Sequence, residues 1–387
     1  MPSSLFPEYR AAWEDDQVHD FRMHAREFMA REVTPHQERW AQNKQVDREL
    51  WNKMGAAGLL CTEIPEELGG LGQHFGYEAV VQEELCLAND FCVGYGVAST
   101  IVPPYIANYG TDEQKQTWLP KLASGEMVGA IAMTEPGTGS DLQNITTTAR
   151  REGDEYVING SKTFITNGSL ADLVIIVCKT DPEGGHAGMS LIVAEVNDLP
   201  GFERGRVLEK IGMHGQDTRE LFFNDMRVPA ENLLGTEEGQ GFYQLMNQLG
   251  RERLIIGVTG VAAAEAAVIE ALAYAREREA FGKPILKFQN TRFVLAECKA
   301  EVLAGKAFMD YCVQLAKDDK LDAATASMAK MWATDKQGEV VDKCLQIFGG
   351  YGYMMEYPIA KAYAAARVQR IYGGTNEIMK ELVGRTL

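Results

Sequence analysis

Hydrophobic residues in the first third of the chain recur at helical intervals. The segments DDQVHDFRMHAREFMAREVTP, GYEAVVQEELCLAN and TDEQKQTWLPKLASG each place apolar side chains on one face of a helix. We expect the first helix to stop near Pro35, and Thr111 is a candidate N-cap for the third. The Gly-rich stretch PEELGGLGQHFG predicts a loop. Residues 1–128 are therefore predicted to form an N-terminal α-helical domain.

The pattern changes to that of strands over residues 129–238. The stretch EYVINGSKTFITNG contains two β-rich runs around Asn159 and Gly160, which together predict a hairpin turn. The runs LVIIVC, MSLIVAEV and ELFFNDMRVP follow, separated by Gly, Pro and Asp clusters. Because no long helical pattern interrupts these runs, we expect an antiparallel β domain, either a barrel or a sandwich.

Helical spacing returns at residue 239 and continues to residue 387. A long helix is expected over 241–278, where GVAAAEAAVIEALAYA supplies small residues for close helix packing. Two more helices are expected in TRFVLAECKAEVLAGKAFMDYCVQLAK and AATASMAKMWATDKQGEVVDKCLQIFGG, and a fourth in EYPIAKAYAAARVQRIY. These segments predict a C-terminal four-helix bundle. The predicted fold class is thus a multidomain α+β protein of three successive domains.

Composition excludes several classes of function. A net charge of −17 over 387 residues argues against a nucleic-acid-binding surface. No apolar run predicts a membrane span, and the acidic start MPSSLFPEYRAAWEDD differs from a basic transit peptide. The seven cysteines include no C-x-x-C pair, which favours reduced thiols in the cytoplasm and predicts no metal site. All six histidines precede residue 215, so the C-terminal helices carry no imidazole for a hydrolase-type triad.

One acidic residue falls on an apolar face of the long helix. Glu252 shares a stripe with Leu245, Leu249 and Ile256, and no Lys or Arg lies three or four residues away. Burying an unpaired carboxylate is costly, so such a residue is a candidate catalytic group. The alternative is a core carboxylate that is paired with an Arg distant in sequence.

Four Gly-rich stretches are candidate ligand loops. They are TEPGTGSD (134–141), YAREREAFGKPI (274–285), QIFGGYGYMMEYP (346–358) and IYGGTNEIM (371–379). Each alone is compatible with an ordinary turn or a helix cap, and Thr375 is a candidate N-cap in the last. Their distribution over two domains, without a catalytic His or a metal cluster, indicates an extended ligand that is contacted at many points.

The chain resembles the acyl-CoA dehydrogenases over essentially its whole length, most closely the long-chain members. The stretches that carry the resemblance are AMTEPGTGSDLQ, INGSKTFITNGSLAD, AREREAFGKPILKFQ, QIFGGYGYMMEYPIAKAY and ARVQRIYGGTNEIMKEL. The resemblance implies a homotetramer with FAD between the β domain and the C-terminal bundle. It also implies a medium- to long-chain acyl-CoA substrate, a trans-2-enoyl-CoA product and electron transfer to an electron-transferring flavoprotein.

The resemblance also assigns positions to the cofactor and the substrate. Positions that match FAD contacts are Ile131, Met133, Thr134, Ser140, Phe164, Ile165, Thr166, Arg278, Gln289, Gln346, Gly350, Thr375 and Glu377. Of these, Arg278, Gln289, Gln346 and Gly350 match positions that reach the FAD of a neighbouring subunit. Positions that match substrate contacts are Ser140, Tyr243, Arg253, Gly373 and Gly374. Many family members have Trp where this chain has Phe164.

Family members differ in where they carry the base that removes the α proton of the thioester. Medium-chain-type members carry it on a loop, at the position of Gly373, whereas long-chain and isovaleryl-type members carry it on the helix, at the position of Glu252. The resemblance therefore makes Glu252 the catalytic base. Burial is expected to raise its pKa towards neutrality.

Two other functions remain open from the sequence. A flavin acyl-CoA oxidase would use O₂ as the acceptor, and a catalytically inactive helical scaffold would bind no FAD. The length and branching of the acyl group depend on side-chain packing, which the sequence does not reveal. The chain also has Ala364 and Ala365 near a position where relatives usually have Asp, which can alter a bundle or subunit contact.

Overall fold

The N-terminal domain is helical, as predicted. The computed structural model of the chain describes residues 4–387. Its first helices are α1 (Asp16–Phe28), α2 (Gln37–Asn43), α3 (Arg48–Ala56), α4 (Gly76–Leu87), α5 (Val102–Tyr109) and α6 (Asp112–Ala123). Thr111 caps α6 in a capping box, in which its Oγ1 accepts from Gln114 N at 3.2 Å and Gln114 Oε1 accepts from Thr111 N at 3.0 Å.

Two π-helical turns modify this helical domain. After α1, the π-helical turn Met29–Val33 and the 3-10 turn Thr34–His36 carry the chain past Pro35. The helical backbone therefore changes geometry before Pro35 instead of stopping there, because these turns accommodate a residue that has no backbone N–H. A second π-helical turn, Gly96–Ile101, leads directly into α5.

The middle domain is a seven-stranded sheet. Its strands are β1 (Gly129–Ala132), β2 (Thr148–Glu152), β3 (Glu155–Thr166), β4 (Leu173–Lys179), β5 (Met189–Glu195), β6 (Phe202–Val207) and β7 (Thr218–Pro229). The order is β1-β4-β2-β3-β7-β6, with β5 also pairing with β4. The sheet is mixed and not purely antiparallel as predicted, since β4 pairs in parallel with β1 and, at one position, with β2. The chain reverses at the β2–β3 hairpin and again between β3 and β4, so β4 runs in the direction of β1.

The predicted hairpin turn at Asn159 and Gly160 is wrong. Both residues lie inside β3, which continues to Thr166, and the turn of the hairpin lies instead at Gly153, between β2 and β3. The register of β3 against β7 shifts between Ile158 and Gly160, and Gly160 has φ +151°. This glycine serves a bulge and a close approach to Thr147, a contact that local sequence does not reveal.

Strand β4 separates two parts of the core. Leu173, Ile175 and Val177 belong to the apolar cluster shared with the helical domains, whereas the alternate residues Val174 and Ile176 belong to the cluster inside the β domain. Because both faces of the strand are buried, it consists of consecutive apolar residues without polar alternation. This packing attaches the sheet rigidly to the helices that carry the candidate site.

The C-terminal domain is built around one long helix. Its helices are α7 (Gly241–Glu277), α8 (Gln289–Lys317), α9 (Ala323–Ile347), α10 (Pro358–Gln369) and α11 (Asn376–Gly384), and the short strands β8 (Glu279–Ala280) and β9 (Lys283–Pro284) follow α7. A Cβ at Gly260 would lie 3.1 Å from Ala333 O, so this glycine permits close packing of α7 on α9. Helix α7 is long and apolar enough to cross a membrane, but 72% of its apolar window is buried, which is typical of a central core helix.

We predict that Gly160→Ala lowers the thermal-unfolding midpoint more than Gly153→Ala does. A Cβ at Gly160 would lie 2.8 Å from Thr147 Cα, whereas nothing lies within 4 Å of a Cβ at Gly153, which has φ +65°. Both variants carry backbone strain, but only Gly160→Ala adds a clash with backbone, for a total cost of about 1–3 kcal/mol. Equal midpoints for the two variants would show that the approach to Thr147 is not what requires glycine.

Candidate functional site

The carboxylate of Glu252 is buried in the apolar interior beside α5. The side chain is 5% exposed, and Leu245 and Ile256 on the same stripe of α7 are also buried. Tyr105 Oη donates to Glu252 Oε1 at 2.7 Å. Burial raises the pKa of Glu252 to about 7, although the Tyr105 hydrogen bond and the Arg253 charge act to lower it. At neutral pH this carboxyl group can therefore both take and release a proton.

No cation neutralises Glu252 through a salt bridge among residues 4–387. Arg251, its neighbour on α7, pairs with Glu63 instead. The structure thus places Glu252 beside a neutral phenol and not against an Arg distant in sequence. A buried carboxylate that is not neutralised by a cation is the environment that shifts a pKa towards catalytic use.

Arg253 is a buried cation beside this carboxylate. It is 6% exposed, and its Nε has no hydrogen-bond partner within the described residues. Its Nη2 lies 3.9 Å from the position that a Cβ on Gly374 would occupy. Burial lowers the pKa of Arg253, and the Glu252 charge acts in the opposite direction. A buried guanidinium donor without a protein partner is suited to a polar group of a ligand.

The turn of Gly373 and Gly374 faces α7 and is anchored by α9. Both glycines have positive φ, +63° and +92°, which other residues rarely adopt. Lys330 Nζ donates to Gly374 O at 2.7 Å and to Asn376 Oδ1 at 2.9 Å. Burial, and secondarily the Arg253 charge, lowers the pKa of Lys330 to about 8. A Cβ at Gly373 would collide with Ile256 Cδ1, so a side chain there requires the end of the Ile256 side chain to move.

A buried ion pair fixes the loop 134–141 to strand β3. Lys162 Nζ donates to Glu135 Oε1 at 2.9 Å and to Met133 O at 3.0 Å. Glu135 also accepts from the backbone N–H groups of Thr146 and Thr147. Burial would raise the pKa of Glu135, but Lys162 and the threonine donors outweigh it and lower the pKa to about 2. The ion pair thus fixes one end of the loop, while other residues of the loop, including Ser140, are exposed.

The loop 134–141 and the end of β3 present exposed groups that are suited to a flat ring ligand. No atom lies within 4 Å of a Cβ built on Gly137 or Gly139, so the backbone there is open to a ligand. Phe164 is 66% exposed and has φ +62°, an uncommon geometry for an aromatic residue in a strand. Ile165 beside it is buried, and Thr166 is half-buried. Ile131, Met133 and Thr134 are also half-buried, which leaves part of each accessible.

A second set of predicted cofactor positions lies at the far end of α7. Arg278, Gln346 and Gly350 line a cavity of about 470 Å³ together with Tyr274 and Tyr351. None of the residues around Glu252 lines this cavity. Gln289 is exposed at the start of α8, and Thr375 caps α11, whose second residue Glu377 is exposed. Tyr243 is half exposed, and its ring packs against His186.

Sequence reasoning missed four residues of this site. These are buried polar residues that hold Glu252, the loop 134–141 and the glycine turn, namely Tyr105, Glu135, Lys162 and Lys330. A charge inside an apolar strand or helix was the available signal for Lys162 and Lys330, whereas Tyr105 had none. Among residues 4–387, no group of three or more His, Cys, Asp and Glu side chains could hold a metal ion.

Comparison with protein families matches three successive models to the chain. The acyl-CoA dehydrogenase N-terminal domain matches residues 15–126, the middle domain matches residues 130–226 and the C-terminal domain matches residues 239–387. Long-chain specific acyl-CoA dehydrogenase of Rattus norvegicus is 50% identical over 372 residues, which covers 95% of this chain and 86% of that protein.

Solved structures agree with this family match. Acyl-CoA dehydrogenase from Geobacillus kaustophilus has a TM-score of 0.95 and 48% identity, covering 97% of this chain and 99% of that chain. A glutaryl-CoA dehydrogenase from Mycobacterium smegmatis, solved in complex with FADH2, has a TM-score of 0.89 and 26% identity, covering 96% of this chain and 95% of that chain. By the models that match it, by this identity and by its fold, the chain belongs to the acyl-CoA dehydrogenase family.

Proposed function

We propose that this protein uses FAD to oxidise medium- to long-chain acyl-CoA thioesters to trans-2-enoyl-CoA. The observation that carries the proposal is the buried Glu252, whose pKa is raised to about 7 and which shares the site with a turn of two glycines that offers no side chain as a base. The long-chain assignment is supported by the 50% identical relative, which is named a long-chain specific enzyme. We further propose an electron-transferring flavoprotein as the acceptor and the cytoplasm as the location, the latter because all seven cysteines are free thiols.

The residues of the chain divide the reaction into a proton step and a hydride step. Glu252 takes the proton from the carbon α to the thioester carbonyl, and its raised pKa makes the ionised form a stronger base than an ordinary carboxylate. The apolar surroundings exclude water from this transfer. Arg253 supplies an unpaired donor for a polar group of the substrate. When bound, FAD supplies the acceptor for the hydride that leaves the β carbon.

Two features of the structure support the FAD positions that we propose. The open backbone at Gly137 and Gly139 and the exposed ring of Phe164 offer contacts for a flat ring system. The cavity at Arg278 lies apart from the Glu252 group, which supports a role towards the FAD of a second subunit in a homotetramer. Exposed Phe281, at 96% of its surface, and Tyr353 near this cavity add apolar area for a subunit contact.

Glu252→Gln is expected to abolish most flavin reduction without loss of FAD. The amide preserves shape and burial but cannot accept a proton, so the reductive half-reaction slows by roughly 10²–10⁴-fold. Rapid mixing with an acyl-CoA under anaerobic conditions, followed by flavin absorbance, measures this rate. Glu270→Gln is the matched control, because Glu270 is also an α7 carboxylate with a pKa raised by burial. A wild-type rate in Glu252→Gln would make Glu252 a structural acid and refute the proposed function.

Transfer of the base to the loop is expected to need a second change on α7. In the Glu252→Gln background, Gly373→Glu should restore little flavin reduction because its Cβ meets Ile256 Cδ1. Ile256→Val removes that atom at a cost of about 0.5–1.5 kcal/mol and should raise the recovered rate. The same rapid-mixing assay compares this triple variant with one that carries Ile255→Val, a buried neighbour of equal size. Equal rates in the two triple variants would rule out Ile256 as the obstacle.

Replacement of Arg278 is expected to weaken FAD binding. Because Arg278 is proposed to contact the FAD of a neighbouring subunit, FAD binding is also expected to depend on oligomer assembly. Arg278 lines the cavity and lies 5.9 Å from the Tyr351 ring, so Arg278→Ala removes a charge for a phosphate group from that cavity. Gel filtration with detection of protein and flavin absorbance gives the ratio of FAD to protein in each oligomeric fraction. Arg276→Ala, an exposed α7 residue outside the cavity lining, should retain FAD. A monomeric fraction with a full complement of FAD would contradict the proposal.

A further inference from the structure

We propose that Tyr105 is a positioning residue for the base, whose phenol donates to Glu252 Oε1 and leaves Oε2 to receive the substrate proton. This inference rests on the proposed role of Glu252. Tyr105 is fully buried on α5, and the Oη to Oε1 distance is 2.7 Å. Within residues 4–387 this is the one hydrogen bond to the carboxylate of Glu252. A carboxylate held through a single oxygen presents the other oxygen in a defined direction.

The segment that carries Tyr105 is fixed by a second buried carboxylate, Glu78 on α4. Ser99 Oγ and Thr100 Oγ1, both in the π-helical turn Gly96–Ile101, each donate to Glu78 Oε2 at 2.9 Å. Tyr95 Oη donates to the same oxygen at 2.6 Å. The other oxygen, Oε1, accepts from the N–H and the hydroxyl of Thr62, both at 2.8 Å. Since this turn leads directly into α5, the cluster anchors the helix that brings the phenol to Glu252.

Two groups act directly on the ionisation of Glu252. Tyr105 faces it from α5, and the Arg253 charge acts on it from α7. Lys330 on α9 acts on Arg253, and the Tyr109 ring lies 6.3 Å from the Tyr105 ring, so both are one residue removed from Glu252. Without the phenol, the Arg253 charge alone would oppose the rise that burial causes in the pKa of Glu252. The hydrogen bond therefore keeps the carboxyl group from becoming too weak an acid to ionise near neutral pH.

Tyr105 keeps its own proton throughout the reaction. Burial, and then the adjacent Glu252 charge and hydrogen bond, raise the pKa of Tyr105 well above its usual value. The phenol thus donates to Oε1 while Glu252 is ionised, and Oε1 remains an acceptor after Oε2 has taken the α proton. Tyr105 acts through Glu252 and does not exchange a proton with the substrate.

Tyr105→Phe tests this role through the pH profile of flavin reduction. Loss of one hydrogen bond to a charged carboxylate is expected to move the pKa of the base upward by about one unit. The rate below that pKa then falls about tenfold, whereas the rate at high pH falls less. Tyr109→Phe is the matched control, because Tyr109 lies on the same helix and its hydroxyl accepts a long 3.4 Å bond from Gln248. An unchanged profile in Tyr105→Phe, or an equal shift in Tyr109→Phe, would overturn the proposal.

Replacement of Tyr105 by 3-fluorotyrosine provides a second variant that retains the hydroxyl. The more acidic phenol donates more strongly, so the pKa of the base should move downward, opposite to the effect of Tyr105→Phe. If Tyr105→Phe does not fold, this variant alone decides. A pH profile that fails to move downward would then refute the positioning role.

The pH dependence of unfolding tests the contact without any substrate. The folded pKa of Glu252, about 7, exceeds its ordinary value of 4.5, so folding favours the protonated form. The stability difference between wild type and Glu252→Gln is therefore most favourable below pH 4.5, falls as pH rises to about 7 and is constant above that. When both proteins also carry Tyr105→Phe, the stability difference should keep falling up to a pH about one unit higher. An active Glu252→Gln would refute the proposed function, whereas an unmoved stability curve would refute the role of Tyr105.

Discussion

The site depends on keeping one carboxylate in an apolar interior without a cation to neutralise it. Burial raises the pKa of Glu252 to about 7, whereas a salt bridge would hold the carboxyl group ionised and weakly basic. The neutral phenol of Tyr105 donates a hydrogen bond to this carboxylate. The cation Arg253 is the next residue on α7 and lowers the pKa of Glu252 through its charge, without a salt bridge. The long helix α7 makes the arrangement possible, because its packing on α4, α5, α8 and α9 buries the stripe on which Glu252 lies.

The stripe of α7 that carries Glu252 also constrains the glycine turn that faces it. Ile256, one turn beyond Glu252, occupies the space that a side chain at position 373 would need. Gly373 and Gly374 then adopt positive φ, and Lys330 holds the turn in place through Gly374 O. Residues on α7, on α9 and before α11 are thus mutually constrained. Moving a carboxylate from position 252 to position 373 would therefore change the packing as well as the chemistry.

The sequence predicts those features whose cause is local or periodic. The three-part architecture, the cap at Thr111 and the placement of Glu252 on a buried stripe follow from helical spacing and cap chemistry. The hairpin predicted at Asn159 and Gly160 is wrong because the glycine is required by the close approach of Thr147, just before β2, and not by a turn. Tyr105 lies 147 positions from Glu252, and no local pattern marks their contact. The mixed sheet likewise results from long-range strand order.

The buried charged residues of this protein differ in how completely their hydrogen bonds are satisfied. Glu78 accepts from a backbone amide and a hydroxyl at Oε1 and from hydroxyl groups at Oε2. Glu135 is paired with Lys162 and accepts from two backbone amides. Such saturated groups stabilise the local fold and have no free atom for a ligand. Glu252 and Arg253 are equally buried, yet each retains an atom without a protein partner. An unsatisfied buried group costs folding free energy, and a ligand that completes the bonding offsets that cost. These two adjacent residues of α7 are therefore the contacts that we propose for the substrate.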